Sequence, residues 1–168
     1  MIDALGALRA DHPAAVVPLA LALLLFVVNG ARLAWIDART RLLPNRIIFP
    51  WYPAALVLLG AAAALSADWG ALLRLALAGI ALFAFYLLLH LVQPGGMGLG
   101  DVKLAGILGM YLGFLTWEHL MLATLVTFVL GGLFGIVMIL ARRATRKSAF
   151  AFGPFMVAGA AAALLVAG

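Results

Sequence analysis

The chain has 168 residues, 67% of them hydrophobic and 10% charged, with a mean hydropathy of +1.21 and a net charge of +5. So little polar surface excludes a water-soluble domain of this length and predicts an integral membrane protein. The absence of cysteine excludes disulfides, thiolate metal sites and a cysteine nucleophile; the scattered His12, His90 and His119 show no ligand spacing, so neither a metal nor another cofactor is expected.

Taken in order, the chain shows six apolar segments, read with about 20 residues per membrane crossing. A short stretch of mixed charge, residues 1–13, precedes a first segment over 14–36. That run is too long for a signal-peptide core and its basic flank is weak, so it is kept as a span. It closes on Asp37, and Pro44-Asn45 introduces a second segment over 47–65. The third covers 71–92 and is stopped by Pro94. Gly95-Gly96-Met97-Gly98-Leu99-Gly100 then leads to Asp101 and a short fourth segment over 102–115. The fifth covers 119–141 and the short sixth 152–166. Gly106, Gly109 and Gly113 suit a fourth segment that lies partly within the bundle or beside a water-filled cleft. With no linker, low-complexity tail or repeat, the expected fold is all-α: one polytopic membrane domain over residues 1–168, a bundle of six transmembrane helices.

With the amino terminus outside, Arg32, Arg39, Arg41, Arg46, Lys103, Arg142, Arg143, Arg146 and Lys147 fall on the cytoplasmic side. Only Arg9 and Arg74 fall opposite, so the positive-inside rule selects this orientation. Trp35 and Trp51 are then expected at the inner boundary, Trp69 and Trp117 at the outer one. Membrane lipids, anionic ones first, are the simplest partner for the inner charges, and nothing points to nucleic acid. Asp37 and Asp101 share the cytoplasmic side, whereas Asp3, Asp11, Asp68 and Glu118 lie outside.

A carboxylate at the centre of a span costs about 2.5 to 3.5 kcal/mol on insertion scales, so acids kept beside spans mark function. Each also has a plain architectural reading. An aspartate after glycine is a common helix cap, and Asp101, Ala105, Gly109 and Gly113, four apart, form the small-residue face along which helices pack. Two acids at one depth on one side favour chemistry instead. Paired carboxyls share a proton, one activating water while the other protonates the carbonyl or leaving group. The helix dipole predicts that Asp101 is the carboxylate and that Asp37 more often holds the proton, a preference that the neighbouring Arg39 and Arg41 oppose. The glycines before Asp101 leave the backbone free to take positive φ and to approach another segment closely.

Together these residues resemble the type IV prepilin peptidases, GxGD-type aspartyl proteases. The likeness covers nearly the whole chain. It rests on Asp37, the six residues to Pro44-Asn45, Pro50, the string from Gly95 to Lys103 with Gly98-Leu99-Gly100-Asp101, and Phe152-Gly153-Pro154-Phe155. It implies that Asp37 and Asp101 are a catalytic dyad cleaving the leader from type IV pilin-like precursors, at the cytoplasmic boundary of the inner membrane. Gly98, Gly100, Pro44, Asn45 and Lys103 are the loop and substrate-side candidates. The longer, bifunctional members carry an amino-terminal domain with paired Cys-x-x-Cys motifs. The resemblance is therefore to the short, protease-only form, and methyltransferase activity is not expected.

Smaller expectations concern single residues. Lys103, two positions after Asp101, points away from it and reads first as a lipid anchor, second as a substrate contact. Asn29 and Gln93 read as interhelical hydrogen-bonding groups, His90 as a satisfied buried histidine, and Gly131 with Gly135 as a helix-packing GxxxG pair. The alternatives are a signal-peptide-peptidase-like enzyme, a small ion-coupled membrane transporter using the same aspartates, and a non-catalytic assembly subunit.

Overall fold

A computed structural model describes residues 11–93, 96–142 and 151–166. Asp3, Arg9, Pro94, Gly95, Arg143, Arg146 and Lys147 lie outside the described residues. Six helices follow in order: α1 (Pro13–Thr40), α2 (Asn45–Leu65), α3 (Trp69–Val92), α4 (Leu99–Leu115), α5 (Trp117–Leu140) and α6 (Gly153–Leu165). Each covers one expected segment, but the ends follow caps rather than hydropathy. The Asp68 carboxylate accepts the Ala71 N–H at 2.8 Å and starts α3; Thr116 Oγ1 accepts the His119 N–H at 3.4 Å and starts α5. Arg41, left-handed at φ 54°, ends α1 by donating its N–H to the Asp37 carbonyl at 2.8 Å.

Short connections make sequence neighbours antiparallel. The same holds for the last pair: His119 Nε2, at the start of α5, lies 3.4 Å from the Val166 carbonyl just past α6. The ends of α1, α3 and α5 and the starts of α2, α4 and α6 thus gather at one end of the bundle.

Thirteen of the seventeen residues of α4 are buried, which makes it the central helix. Its glycines allow this. A Cβ at Gly109 would lie 2.5 Å from the Ala78 carbonyl, and one at Gly113 would lie 2.7 Å from that of Arg74, so α3 and α4 meet backbone to backbone. The small-residue face behind Asp101 is therefore closed by α3, not open to a substrate.

Two aromatic clusters fasten the other helices to this pair. Trp51 Nε1 donates to the Tyr111 hydroxyl at 3.1 Å, which donates to the Ala22 carbonyl at 2.9 Å, with the Phe26 ring 5.3 Å from that of Tyr111. That chain ties α1, α2 and α4 and gives both the Trp51 and the Tyr111 donor an acceptor. Trp51 is only 1% exposed and packs inside the bundle, whereas Trp35, Trp69 and Trp117 are exposed. The second cluster joins Tyr86 of α3, Phe128 of α5 and Phe152 just before α6, with ring centroids 5.6 to 6.3 Å apart.

The GxxxG expectation is also corrected. A Cβ at Gly131 would meet the Phe152 ring at 2.7 Å, but among the described residues nothing lies within 4 Å of one at Gly135, so among these residues only the first glycine serves packing. On the outside of α5, Met121, Leu125, Val129, Leu133, Ile136 and Leu140 are exposed, a surface suited to lipid and not to water. Among the described residues four helices, α1, α2, α3 and α5, are long and apolar enough to cross a membrane.

Candidate active site

Asp37 is placed by helical spacing: on α1 it continues the stripe of Phe26, Gly30 and Leu33 that faces the bundle, and it is 4% exposed. Its Oδ2 accepts the Gly153 N–H at 2.9 Å. In the first turn of α6, Pro154 has no N–H, while Phe155 and Met156 donate to the Phe152 carbonyl. Gly153 is thus the donor left for an outside acceptor. It must also be small, since a Cβ there would sit 2.8 Å from the same carboxylate oxygen.

Asp101 is the third residue of α4 and is 7% exposed. Its Oδ2 accepts the Gly98 N–H at 3.0 Å and its own N–H donates to the Gly98 carbonyl at 3.1 Å, a reciprocal cap. Its Oδ1 is buried and has no partner among the described residues. A buried carboxylate oxygen left this way calls for water, a proton or a substrate atom. Asp37 lies within electrostatic range of Asp101, and so does Tyr86. The two acids named from sequence are brought to one place.

The other candidates divide. Gly100 packs on Leu43, where a Cβ would come within 2.8 Å of the Leu43 Cβ. The turn after Asp37 and the loop before Asp101 are thereby in contact. Pro44, with φ −69° and ψ 124°, precedes α2, and its carbonyl accepts the Ile47 and Ile48 N–H groups at 3.0 and 3.3 Å. The freedom of these glycines to take positive φ is not used: among the described residues no glycine has a positive φ, and Gly98 stands at −79°. Glycine serves close contact here.

Lys103 and Asn45 meet each other and not the dyad. Lys103 Nζ donates to Asn45 Oδ1 at 3.1 Å and lies 5.2 Å from the Phe49 ring centre. It borders a cavity of about 740 Å³ between α2, α3 and α4, lined by Tyr52, Leu75, Phe83 and Met110 among others. Two residues on a helix are about 200° apart, so this apolar space opens away from Asp101. Tyr52 donates to the Lys103 carbonyl at 2.6 Å and seals that side.

His90 is half-buried, its Nδ1 2.7 Å from the Met97 carbonyl, which steadies the loop before Asp101. The Gln93 side chain packs on Gly96, and Asn29 forms no interhelical hydrogen bond among the described residues. Arg39, set against Asp37 in the sequence, stacks on Trp35 at 4.0 Å. Sequence reasoning missed Gly153 as part of the site, although the Phe152-Gly153-Pro154-Phe155 string marked its position.

Comparison with known proteins follows the same residues. The sequence profile described as the type IV leader peptidase family matches residues 19–136. A prepilin leader peptidase/N-methyltransferase of Stutzerimonas stutzeri is 33% identical over 148 residues, covering 86% of this chain and 49% of that protein. One of Burkholderia pseudomallei strain 1026b is 36% identical over 169 residues, with coverages of 95% and 51%. One of Bacillus subtilis is 32% identical over 131 residues, with coverages of 77% and 49%. The chain spans about half the length of these relatives. No solved structure gives a significant match, and nothing in these comparisons supports an ion-coupled transporter. With a profile that runs from α1 into α5 through both aspartates, and relatives above 30% identity over most of its sequence, the chain belongs to the type IV leader peptidase family.

Proposed function

We propose that this chain is an intramembrane aspartic endopeptidase that removes the leader peptide from type IV pilin-like precursors, with Asp37 and Asp101 as its catalytic pair. One observation carries the reading: two buried carboxyls from different helices lie within range of each other's charge, each held through one oxygen by a backbone N–H. Backbone donors fix a carboxylate without adding a cation that would neutralise it. The family and the peptidase names of the relatives support the same reading.

In the reaction the ionised carboxyl takes a proton from water as the oxygen attacks the scissile carbonyl, while the protonated carboxyl hydrogen-bonds to the carbonyl oxygen. Transfer of a proton to the amide nitrogen then breaks the C–N bond, leaving a carboxylate on the leader and a free amine on the precursor. The unpartnered Oδ1 of Asp101 is assigned to the water. Cleavage falls at the junction between an extended leader and an apolar helix, because a bond inside a helix must first be unwound.

The domain runs over residues 1–168 and sits in the inner membrane with its amino terminus outside and the dyad facing the cytoplasm. All six helices belong to the membrane region in this reading. At 17 and 13 residues α4 and α6 fall short of the usual 20 or so, and both pack against longer neighbours. Gly98 and Gly100 hold the loop, and Pro44, Asn45 and Lys103 set the α1–α2 turn and the start of α2 against it.

The test is leader removal by reconstituted protein, read by mass on a pilin precursor. Asp37→Asn and Asp101→Asn are each expected to lower cleavage by at least about 10²-fold with insertion intact. Cleavage that persists with both neutralised overturns the reading.

A further inference from the structure

Arg32 and Arg46 border a groove that the dyad does not use. It has a volume of about 410 Å³ and runs between α1, which contributes Leu25, Asn29 and Arg32, and α2, which contributes Arg46, Pro50 and Ala54. On each helix these residues are three or four apart, so each set forms one stripe. The helices are antiparallel, so Arg32 and Arg46 gather at one end of the groove and Leu25 and Ala54 at the other, about 10 to 12 Å deeper, with Asn29 between.

No acid lines this groove. Among the described residues the one ion pair is Arg74 with Asp68, on the opposite end of the bundle. Arg32 and Arg46 are both exposed. Two guanidiniums facing one apolar slot fit an anion with an apolar tail: a phosphate takes paired Arg N–H donors, and the slot accepts hydrocarbon. A free phosphate would use the arginines and leave the apolar floor bare. The depth also agrees, because half of a hydrocarbon core of about 30 Å is about 15 Å. Asp37 lies five residues beyond Arg32, about 7.5 Å further along α1 and about 140° round it, so an occupant of the groove leaves the dyad uncovered.

We propose that the α1–α2 groove binds an anionic phospholipid, its phosphate held by Arg32 and Arg46 and an acyl chain laid along Leu25, Pro50 and Ala54. Asn29, between the two ends, offers its amide to the ester region. Such a lipid bridges the two helices that flank the turn after Asp37.

The full chain, purified in detergent, is offered phosphatidylglycerol and phosphatidylcholine in turn, and bound lipid is counted by native mass spectrometry. The unaltered chain is expected to retain phosphatidylglycerol in preference to phosphatidylcholine. Arg32→Gln and Arg46→Gln should each weaken phosphatidylglycerol retention about fivefold, and together about 25-fold. Arg39→Gln, which removes a charge stacked on Trp35 outside the groove, should leave it unchanged. Equal retention of both lipids, or full retention by the double variant, overturns the proposal. Release of phosphatidylglycerol by millimolar inorganic phosphate also overturns it, as it would mark a free-anion site. If the double variant misfolds, the comparison of the two lipids on the unaltered chain still decides.

Discussion

A methyl group added at position 153 would press on the carboxylate that Gly153 holds, 2.8 Å from Asp37 Oδ2. Relief requires Asp37 or the start of α6 to move, and a displacement of about 1 Å at a reacting group can cost about 10²-fold in rate. Gly153→Ala is therefore expected to lower leader cleavage by roughly that factor, while circular dichroism and membrane insertion stay as in the parent. An unchanged rate in the cleavage assay would remove Gly153 from the site. Because the proposed pair works with one carboxyl charged and one neutral, kcat/KM should rise and then fall with pH. A profile with a single limb across the stable range would contradict shared proton work. The acids themselves were legible in the sequence, because a carboxylate among oil has few structural uses. Gly153 was not, because its contribution is a main-chain N–H and no side chain announces it. Lys103 was read correctly as pointing away from Asp101, since helical spacing alone decides that.

Along the helices, the α3–α4 contact makes opposite demands on glycines that look alike in sequence. Gly109 has the Ala78 carbonyl where its Cβ would be, so Gly109→Leu should overpack the seam and destabilise by about 1 to 3 kcal/mol or more. Thermal unfolding in detergent checks this, and a melting temperature equal to the parent's would refute the backbone contact. Gly135, with nothing among the described residues within 4 Å of that point, should tolerate alanine and gain up to about 1 kcal/mol in the same measurement. The existence and order of the six helices were legible from hydropathy, and their ends were not, because Asp68 and Thr116 set them by hydrogen bonding. The GxxxG spacing misled because it records small residues and not what faces them; here Phe152 fills one gap and nothing among the described residues fills the other. Trp51 was legible in depth and not in facing direction; Tyr111 supplies the acceptor that lets its indole turn inside.

Over the molecule as a whole, orientation is the claim that the basic residues make and that a labelling experiment decides. The chain lacks cysteine, so single cysteines can be introduced without clearing a background. Thr40→Cys, at the end of α1, should react with a membrane-impermeant maleimide only from the cytoplasmic face. Glu118→Cys, in the first turn of α5, should react only from the other face. Labelling of both from one side would break the up-and-down order, and the reversed pattern would invert the proposed topology. Composition alone made the membrane class legible at this scale. The convergence of three helix starts and three helix ends on one rim followed from the short connections. The contact between the first helix and the last did not, because distant segments leave no local trace of their meeting.

That contact sets a timetable for biogenesis. The hydrogen bond to Asp37 comes from a residue 116 positions downstream, so on the ribosome the earlier acid emerges long before its donor exists. A nascent chain halted after α5 would hold both acids and lack the one N–H that orients the first. In the proposed protease, competence to hydrolyse then waits for α6, which carries that donor.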